Sequence, residues 1–164
     1  MNQIDDYDAV VVGASFAGLA AAGQLVGAGR VLLVDREPIG TGQPSACGTL
    51  LTVLERLEAG DALEQVHPRV MLNVAGRRIG FDTTHHPFAT FDYMTLCQIL
   101  ASRLGDVQVA VAPFGGVDPD GTLRLGARRV RSAVLIDASG WRRVLARALG
   151  APPLDRAHAS TGVE

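Results

Sequence analysis

The stretch from Asp8 to Asp35 constrains the fold of this chain more than any other part of its sequence. A short run rich in valine ends at Gly13, and a second apolar run, Val31 to Val34, stops at Asp35. Short apolar runs of this kind are typical of strands buried on both faces, and the Phe16 to Ala28 stretch between them predicts a helix rich in alanine and glycine. Strand, helix and strand within about 30 residues indicate the βαβ unit of a parallel sheet, so we expect an α/β fold.

The glycines between the first strand and the helix predict the chemistry of this unit. Gly13 and Gly18 have the outer spacing of the Gly-x-Gly-x-x-Gly loop, and Ser15 takes the place of its second glycine. In such loops the first glycine makes the tight turn, the second position lets the backbone approach a pyrophosphate, and the third lets helix and strand pack closely. The free N–H groups at the helix start favour phosphate. Because serine is small and can donate a hydrogen bond, we expect a dinucleotide site that is altered but retained.

An acidic residue at the end of the second strand strengthens this interpretation. Asp35 follows Gly13 by 22 residues, close to the spacing of about 20 expected for a carboxylate that holds the ribose hydroxyls. The neighbouring Arg36 would favour a 2′-phosphate, whereas Asp35 would repel one. The residues therefore predict an unphosphorylated adenosine ribose, as in FAD or NAD, and periodicity alone does not separate these two cofactors.

Composition limits the class of protein. The 164 residues are 48% hydrophobic and 20% charged, which permits one globular domain with a sizeable core. Fifteen basic residues, all of them arginine, stand against 17 acidic ones, and a net charge of −2 does not predict a nucleic-acid partner. No apolar run approaches the roughly 20 residues of a transmembrane helix, and the acidic N-terminus does not resemble a secretory signal. We therefore expect a cytoplasmic protein with no transmembrane segment, and its oligomeric state stays open.

The cysteines and histidines do not predict a metal site. Cys97 lies among apolar residues at helical spacing and is expected in the core, and Cys47 is either a residue that tunes a cofactor or a small buried hydrophobe. His85 and His86 form the one adjacent pair that suggests metal binding. On an extended segment they would point in opposite directions, and no third ligand lies nearby.

An arginine-rich stretch leaves two further alternatives open. Seven arginines lie between Arg124 and Arg147, either as a patch for phosphate or nucleic acid or as the solvated faces of a hairpin and a helix. Trp141 either covers a ligand or packs half-buried. Ser139 does not lie in the Gly-x-Ser-x-Gly pattern of a hydrolase nucleophile.

The remaining pattern predicts a series of short elements after a loop at Pro38 to Gly48. The clearest of them has apolar residues at 96, 99, 100 and 104, which is the spacing of a helix. Helices are expected at Leu50 to Leu57, Ala62 to Val66, Tyr93 to Leu104 and Trp141 to Leu149, and strands at Arg69 to Val74, Arg77 to Phe81, Val107 to Val111, Gly115 to Asp118, Thr122 to Leu125 and Arg129 to Asp137.

Four segments resemble known flavoproteins. The Asp8 to Asp35 segment resembles the N-terminal FAD-binding unit of the glutathione-reductase superfamily. Val134 to Arg143, which contains Asp-Ala-Ser-Gly, is similar to a segment beside the cofactor in flavin monooxygenases and geranylgeranyl reductases. Pro38 to Gly48 resembles a Cys-Gly loop near the flavin in geranylgeranyl-reductase-like proteins. Phe91 to Leu100 resembles a family helix that opens with Asp-Arg, but Tyr93 stands in place of the arginine.

The resemblance implies an FAD-dependent oxidoreductase that reduces or hydroxylates an organic substrate, isoprenoid or aromatic, with NAD(P)H as a candidate reductant. A non-catalytic nucleotide-binding module and an NAD-binding domain are the alternatives. The implied architecture is a Rossmann-like three-layer FAD domain with the start of a smaller inserted substrate region. Its expected bounds are a nucleotide core at 7–36, an insertion at about 65–92 and a return to the FAD domain at about 93–150, and we expect the chain to be the N-terminal portion of a longer enzyme.

The resemblance also assigns candidate cofactor contacts, while the catalytic residues stay unassigned. The pyrophosphate and ribose contacts come from the loop and the end of the second strand, and the flavin side from the two later segments. The cofactor-binding candidates are Gly13, Ala14, Ser15, Phe16, Ala17, Gly18, Asp35, Arg36, Cys47, Gly48, Asp137 and Gly140.

Overall fold

The computed structural model describes residues 3–42 and 47–154. Its regular elements follow one another with short connections, and 3-10 turns at Gly60–Ala62 and Gly140–Arg142 separate some of them. In chain order they are β1 (Ile4–Val12), α1 (Phe16–Gly23), β2 (Val31–Asp35), β3 (Gly48–Leu50), α2 (Leu51–Arg56), β4 (Leu63–His67), β5 (Arg69–Val74), β6 (Arg77–Asp82), β7 (Phe88–Phe91), α3 (Tyr93–Ala101), β8 (Gln108–Val111), β9 (Phe114–Val117), β10 (Leu123–Leu125), β11 (Arg128–Asp137) and α4 (Val144–Ala148).

The largest sheet has six strands in the order β8-β2-β1-β11-β10-β9. The first four are parallel, and β11, β10 and β9 form an antiparallel meander at the other end. The predicted βαβ unit is β1, α1 and β2, which places the acidic end of β2 beside the start of α1. The expected α/β fold with a parallel sheet is confirmed.

Both faces of β1 and β2 are covered, and their alternate residues point to opposite sides of the sheet. Ala9, Val11 and Leu33 pack toward α1 and α3 in one apolar cluster. On the opposite face Val10 and Val34 pack in a second cluster that includes Leu123 and Leu125 of β10 and Leu145 of α4. Burial on both faces explains why β1 and β2 read as continuous apolar runs.

A smaller part of the molecule lies between β2 and α3 in the chain. Strands β3, β7 and β4 form an antiparallel sheet, and β5 and β6 form a separate hairpin. Ala75 and Gly76 turn this hairpin with φ values of 48° and 76°. Two positive φ values are what a two-residue hairpin turn requires, and the predicted strands on either side of it are both present.

Some predicted elements differ from the structure. The helix expected at Ala62 to Val66 is wrong: Leu63–His67 is strand β4, because pairing with β7 satisfies its backbone. Neither β3 nor β7 was predicted as a strand. Tertiary pairing outweighs local propensity for such short segments.

Three predicted helices are shorter than expected, and one of them, α3, ends at Ala101 instead of Leu104. Helix α1 ends at Gly23 instead of Ala28, and turns follow through Gly27 and Gly29. The helix expected from Trp141 to Leu149 is interrupted at Arg143, whose φ of 45° is left-handed.

The environment of the histidine pair also differs from the prediction. The Thr83–His86 segment is a turn, closed by a hydrogen bond from the His86 N–H to the Thr83 carbonyl at 3.0 Å, so the pair does not lie on an extended segment.

Residues 43–46 of the predicted loop and the C-terminal stretch 158–164 lie outside the described residues. Within the described ranges, no helix combines the length and the hydropathy needed to cross a bilayer.

Candidate functional site

The turn from β1 into α1 depends on a residue without a side chain. Gly13 has a φ of 109°, and a Cβ atom there would lie 2.3 Å from the carbonyl oxygen of Ala138. The Gly13 N–H donates to the Val34 carbonyl at 2.8 Å, and the Ala138 N–H donates to the Val12 carbonyl at 2.8 Å. The turn is therefore held between β2 on one side and the end of β11 on the other.

Gly18, at the third glycine position of the loop, lets the helix approach this turn. A Cβ atom on Gly18 would lie 1.7 Å from the Gly13 carbonyl oxygen, so any side chain at this position would push α1 away from β1. Ala17, on the outer side of the same helical turn, is exposed. The absence of a side chain at Gly18 thus lets the first turn of α1 pack directly against the Gly13 turn, as the spacing of the loop predicts.

The Asp35 carboxylate ties the end of β2 to this loop. Its Oδ2 accepts a hydrogen bond from the Ala14 N–H at 2.7 Å, and its Oδ1 accepts one from the Glu37 N–H at 3.1 Å. Arg36 follows on the surface and is exposed. The structure therefore places Asp35 beside the loop, where a carboxylate could also reach a ribose of a bound dinucleotide, and its predicted ribose contact stays a prediction.

The Asp137 to Gly140 segment meets the loop through Ala138, although more than 120 residues separate the two in the chain. The Asp137 Oδ1 accepts from the Ser139 N–H at 3.1 Å and from the Ser139 hydroxyl at 2.5 Å, and its Oδ2 accepts from the Ala146 N–H at 2.8 Å. Burial alone would raise the pKa of Asp137, but these donors together hold that pKa below its ordinary value. Asp137 therefore anchors the entry into α4.

The residues after Ser139 face outward. Gly140 is exposed, and Trp141 has 79% of its surface exposed, with the Arg142 guanidinium 5.6 Å from its ring centre. The half-buried packing alternative for Trp141 is therefore wrong. Contact between this exposed tryptophan and a ligand stays a prediction.

Cys47 lies on the side of the six-stranded sheet that α1 and α3 cover, and Gly48 follows it in the chain. Cys47 is half-buried, and its carbonyl accepts from the Phe91 N–H at 2.9 Å. Gly48 begins β3 and lies against the ring of Phe88. Cys47 packs with Phe16 against the same apolar clusters, which brings the third resembling segment to the start of α1.

Tyr93 is a site residue that the sequence left without a role. Its hydroxyl oxygen lies 3.0 Å from the Ser15 Oγ, and its ring centre lies 5.1 Å from that of Phe16. The signal in the sequence was its position in the helix start where the resembling families have arginine. Ser15 departs from the Gly-x-Gly-x-x-Gly loop, and Tyr93 departs from the Asp-Arg start of the family helix. These two residues are thus in direct contact.

An apolar groove of about 310 Å³ opens beside the loop. It runs between α1, α2, α3 and β3, and none of the residues that line it is charged. The lining residues are Phe16, Ala20, Gly48, Thr49, Val53, Leu54, Leu57, Phe91, Leu96 and Leu100. Across the part of the chain that the structure describes, no group of three or more histidine, cysteine or acidic side chains is placed to hold a metal ion.

The fold of this chain is similar to that of several solved structures, although its sequence matches no family model. No family model and no curated protein sequence matches the chain. Among solved structures it is similar to a geranylgeranyl bacteriochlorophyll reductase-like protein from Thermoplasma acidophilum, with a TM-score of 0.73 and 19% identity over 90% of this chain and 43% of the other.

Two further solved structures have comparable similarity. The p-nitrophenol 4-monooxygenase from Pseudomonas putida gives a TM-score of 0.68 and 17% identity over 92% of this chain and 44% of its own. The myxobacterial chondrochloren halogenase, described as a variant of FAD-dependent halogenases, gives 0.66 and 18% over 88% and 39%. The chain thus spans less than half the length of these structures, and it shares the fold of this part of them.

Proposed function

We propose that this chain binds FAD through the loop at 13–18 and forms the N-terminal portion of an FAD-dependent oxidoreductase. The observation that carries the proposal is the contact of Gly13 with Ala138. It brings two flavoprotein-like segments together at the start of α1, next to the Asp35 carboxylate that accepts from the Ala14 N–H. A sharp turn of this kind, next to a helix N-terminus and an acidic strand end, suits a dinucleotide pyrophosphate and its ribose.

The residues fit this cofactor because Gly13 and Gly18 let the turn and the helix start pack at distances that a Cβ atom would block, as a dinucleotide loop requires. The pyrophosphate would lie at the loop, the adenosine ribose at the end of β2, and the flavin toward the later segments. The proposed contacts are Gly13, Ala14, Ser15, Phe16, Ala17, Gly18, Asp35, Arg36, Cys47, Gly48, Asp137 and Gly140. Bound flavin supplies the redox chemistry, while the protein binds and orients it.

The substrate class is proposed as organic and largely apolar, isoprenoid or aromatic, to be reduced or hydroxylated with NAD(P)H as reductant. Two observations support it: the uncharged groove next to Gly48, and the reductase-like protein and monooxygenase among the structures with this fold. The groove is lined mainly by aliphatic and aromatic side chains, which suits a ligand of this chemistry.

The domain division is part of the same proposal. The nucleotide core is assigned to 7–36, the inserted substrate region to about 65–92, and the return to the FAD domain to about 93–150. The sheet topology supports it, because β1, β2, β8 and β11 share one sheet while β4 to β7 lie outside that sheet.

Titration of the full chain with FAD, NAD⁺ and NADP⁺ tests the cofactor. We expect FAD to bind most tightly, with quenching of the flavin fluorescence on binding. A Ser15→Glu variant should lose this binding through bulk and negative charge at the loop. Ala28→Glu adds the same charge at an exposed position beyond α1 and should leave affinity unchanged. Preference for NAD⁺, absence of dinucleotide binding, or unchanged affinity in Ser15→Glu would overturn the proposal.

A further inference from the structure

Ser15 precedes α1 but does not cap it in the usual way. Its φ and ψ of −89° and −170° are those of an N-cap residue, yet its side chain makes no hydrogen bond to the helix within the described part of the chain. An N-cap serine normally accepts a hydrogen bond from an N–H of the first turn. Here the Ser15 Oγ lies 3.0 Å from the Tyr93 hydroxyl instead. The first-turn N–H groups therefore stay available to a ligand.

Tyr93 is held in one place by its surroundings. It is the first residue of α3, whose N-cap Asp92 accepts from the Thr95 N–H at 2.7 Å, and only 5% of the tyrosine surface is exposed. Burial raises the pKa of Tyr93, so its hydroxyl keeps its proton at neutral pH. The same hydroxyl contacts the thiol of Cys97, which is fully buried.

The direction of the hydrogen bond between Ser15 and Tyr93 decides whether the Ser15 hydroxyl offers a proton or lone pairs to a ligand. Ser15 and Tyr93 each carry one hydroxyl proton. If the Tyr93 O–H donates to Ser15 Oγ, the Ser15 proton is free to point away from Tyr93 and toward the loop. The reverse direction would turn the serine lone pairs toward an anion, which is electrostatically unfavourable next to a phosphate.

We propose that Tyr93 is a positioning residue that orients the Ser15 hydroxyl as a donor to the dinucleotide pyrophosphate. This inference rests on the proposed function of the loop. Ser15 touches the phosphate, and Tyr93 acts through it.

A double-mutant cycle on the full chain tests the pairing, with FAD affinity measured by fluorescence quenching. Ser15→Ala should weaken binding about tenfold, the loss expected for one hydrogen bond to a charged group. Tyr93→Phe removes only the hydroxyl and should weaken binding about fivefold. In the Ser15→Ala background the same Tyr93→Phe change should have no further effect, which a merely structural role for the tyrosine would not produce.

Tyr7→Phe is the matched control. Tyr7 is also 5% exposed, and its hydroxyl donates to Gln108 Oε1 at 2.7 Å and accepts from Arg128 at 2.9 Å, away from the loop. It should lower thermal stability without changing FAD affinity. If the wild-type chain binds FAD and the two losses simply add, or if Tyr93→Phe leaves affinity unchanged, the inference is wrong while the proposed function stands. If the wild-type chain binds no dinucleotide, both are overturned.

Discussion

The six-stranded sheet and the β5–β6 hairpin contain strands of similar apolar content, yet they are buried very differently. Val10 and Leu33 in the sheet have no exposed surface, whereas Leu72 and Ile79, which pair across the hairpin, are each 47% exposed. Strands β1 and β2 have covering elements on both faces, and the hairpin is a two-stranded sheet of its own. Apolar residues alone therefore do not create a core, because burial requires a second layer.

The aspartates that end β6 and β11 have the same local hydrogen bonds but different tertiary contacts. In both, an aspartate Oδ1 accepts from the N–H and the hydroxyl of the residue two positions later: Asp82 from Thr84, and Asp137 from Ser139. Only Asp137 adds a bond across to α4, through the Ala146 N–H. The local motif follows from the sequence in each region, and the tertiary contact exists only where a helix packs on the strand.

The largest expected difference is between a glycine packed against the end of β1 and a glycine in the β5–β6 hairpin. Gly18→Ala should destabilise the protein by about 4 kcal/mol, because the new Cβ would overlap the Gly13 carbonyl, a backbone atom that cannot rotate away. Gly80→Ala in β6 should change the free energy of unfolding by less than about 0.5 kcal/mol, since the nearest atom is the flexible Met71 sulfur at 3.0 Å. Urea unfolding measures both, and equal losses would contradict the comparison.

Truncating one leucine in each region tests burial directly. Leu33→Ala should cost about 3 kcal/mol, since it leaves a cavity between two covering layers. Leu72→Ala removes a half-exposed side chain and should cost about 1 kcal/mol or less. The midpoint of urea unfolding at constant slope reports the difference. A cost for Leu72→Ala as large as that for Leu33→Ala would show that the hairpin is covered in solution.

The two aspartates should also differ in how much they contribute to the free energy of unfolding, and the contribution of Asp137 should depend on pH. At neutral pH Asp137→Asn should destabilise by about 1 to 2 kcal/mol, the contribution of hydrogen bonds to a charged group, and Asp82→Asn should destabilise less. The pKa of Asp137 is below its ordinary value of 3.8 in the folded protein, so its contribution is present above that value and is lost as the pH falls through the folded pKa. Unfolding free energies of wild type and Asp137→Asn should therefore converge below about pH 4. A difference that stays constant into acid would show that the charge of Asp137 does not act this way.

The smallest expected effect has the opposite sign. Thr122, just before β10, is fully buried, and its hydroxyl makes no hydrogen bond of ordinary geometry among residues 3–42 and 47–154, although the Asp120 carboxylate lies near it. Thr122→Val should stabilise by about 0.5 to 1 kcal/mol, because it replaces an unsatisfied polar atom with a methyl group. Thr84→Val, at an exposed hydroxyl that donates to Asp82, should slightly destabilise instead. Thermal melting distinguishes the two signs, and a loss of stability in Thr122→Val would contradict the burial of an unpaired hydroxyl.

Much of the part that contains β1, α1 and β2 was predictable from the chain itself. The valine run before Gly13, the small residues to Gly18 and the acid at Asp35 specify β1, α1 and β2 through local propensity and spacing. The hairpin at Ala75 and Gly76 followed in the same way, because a turn and its flanking alternation lie within a few residues of each other. Patterns of this range depend on neighbouring residues only.

The long-range contacts were decided by the tertiary structure. The sequence pattern around Ala62 to Val66 is compatible with a helix, and only pairing with β7 makes it strand β4. Likewise, nothing in the spacing of Ser15 and Tyr93, 78 residues apart, predicts that their hydroxyls meet. The physical reason is that packing of α3 against α1, and of Ala138 against Gly13, brings together groups whose separation along the chain carries no periodic signal.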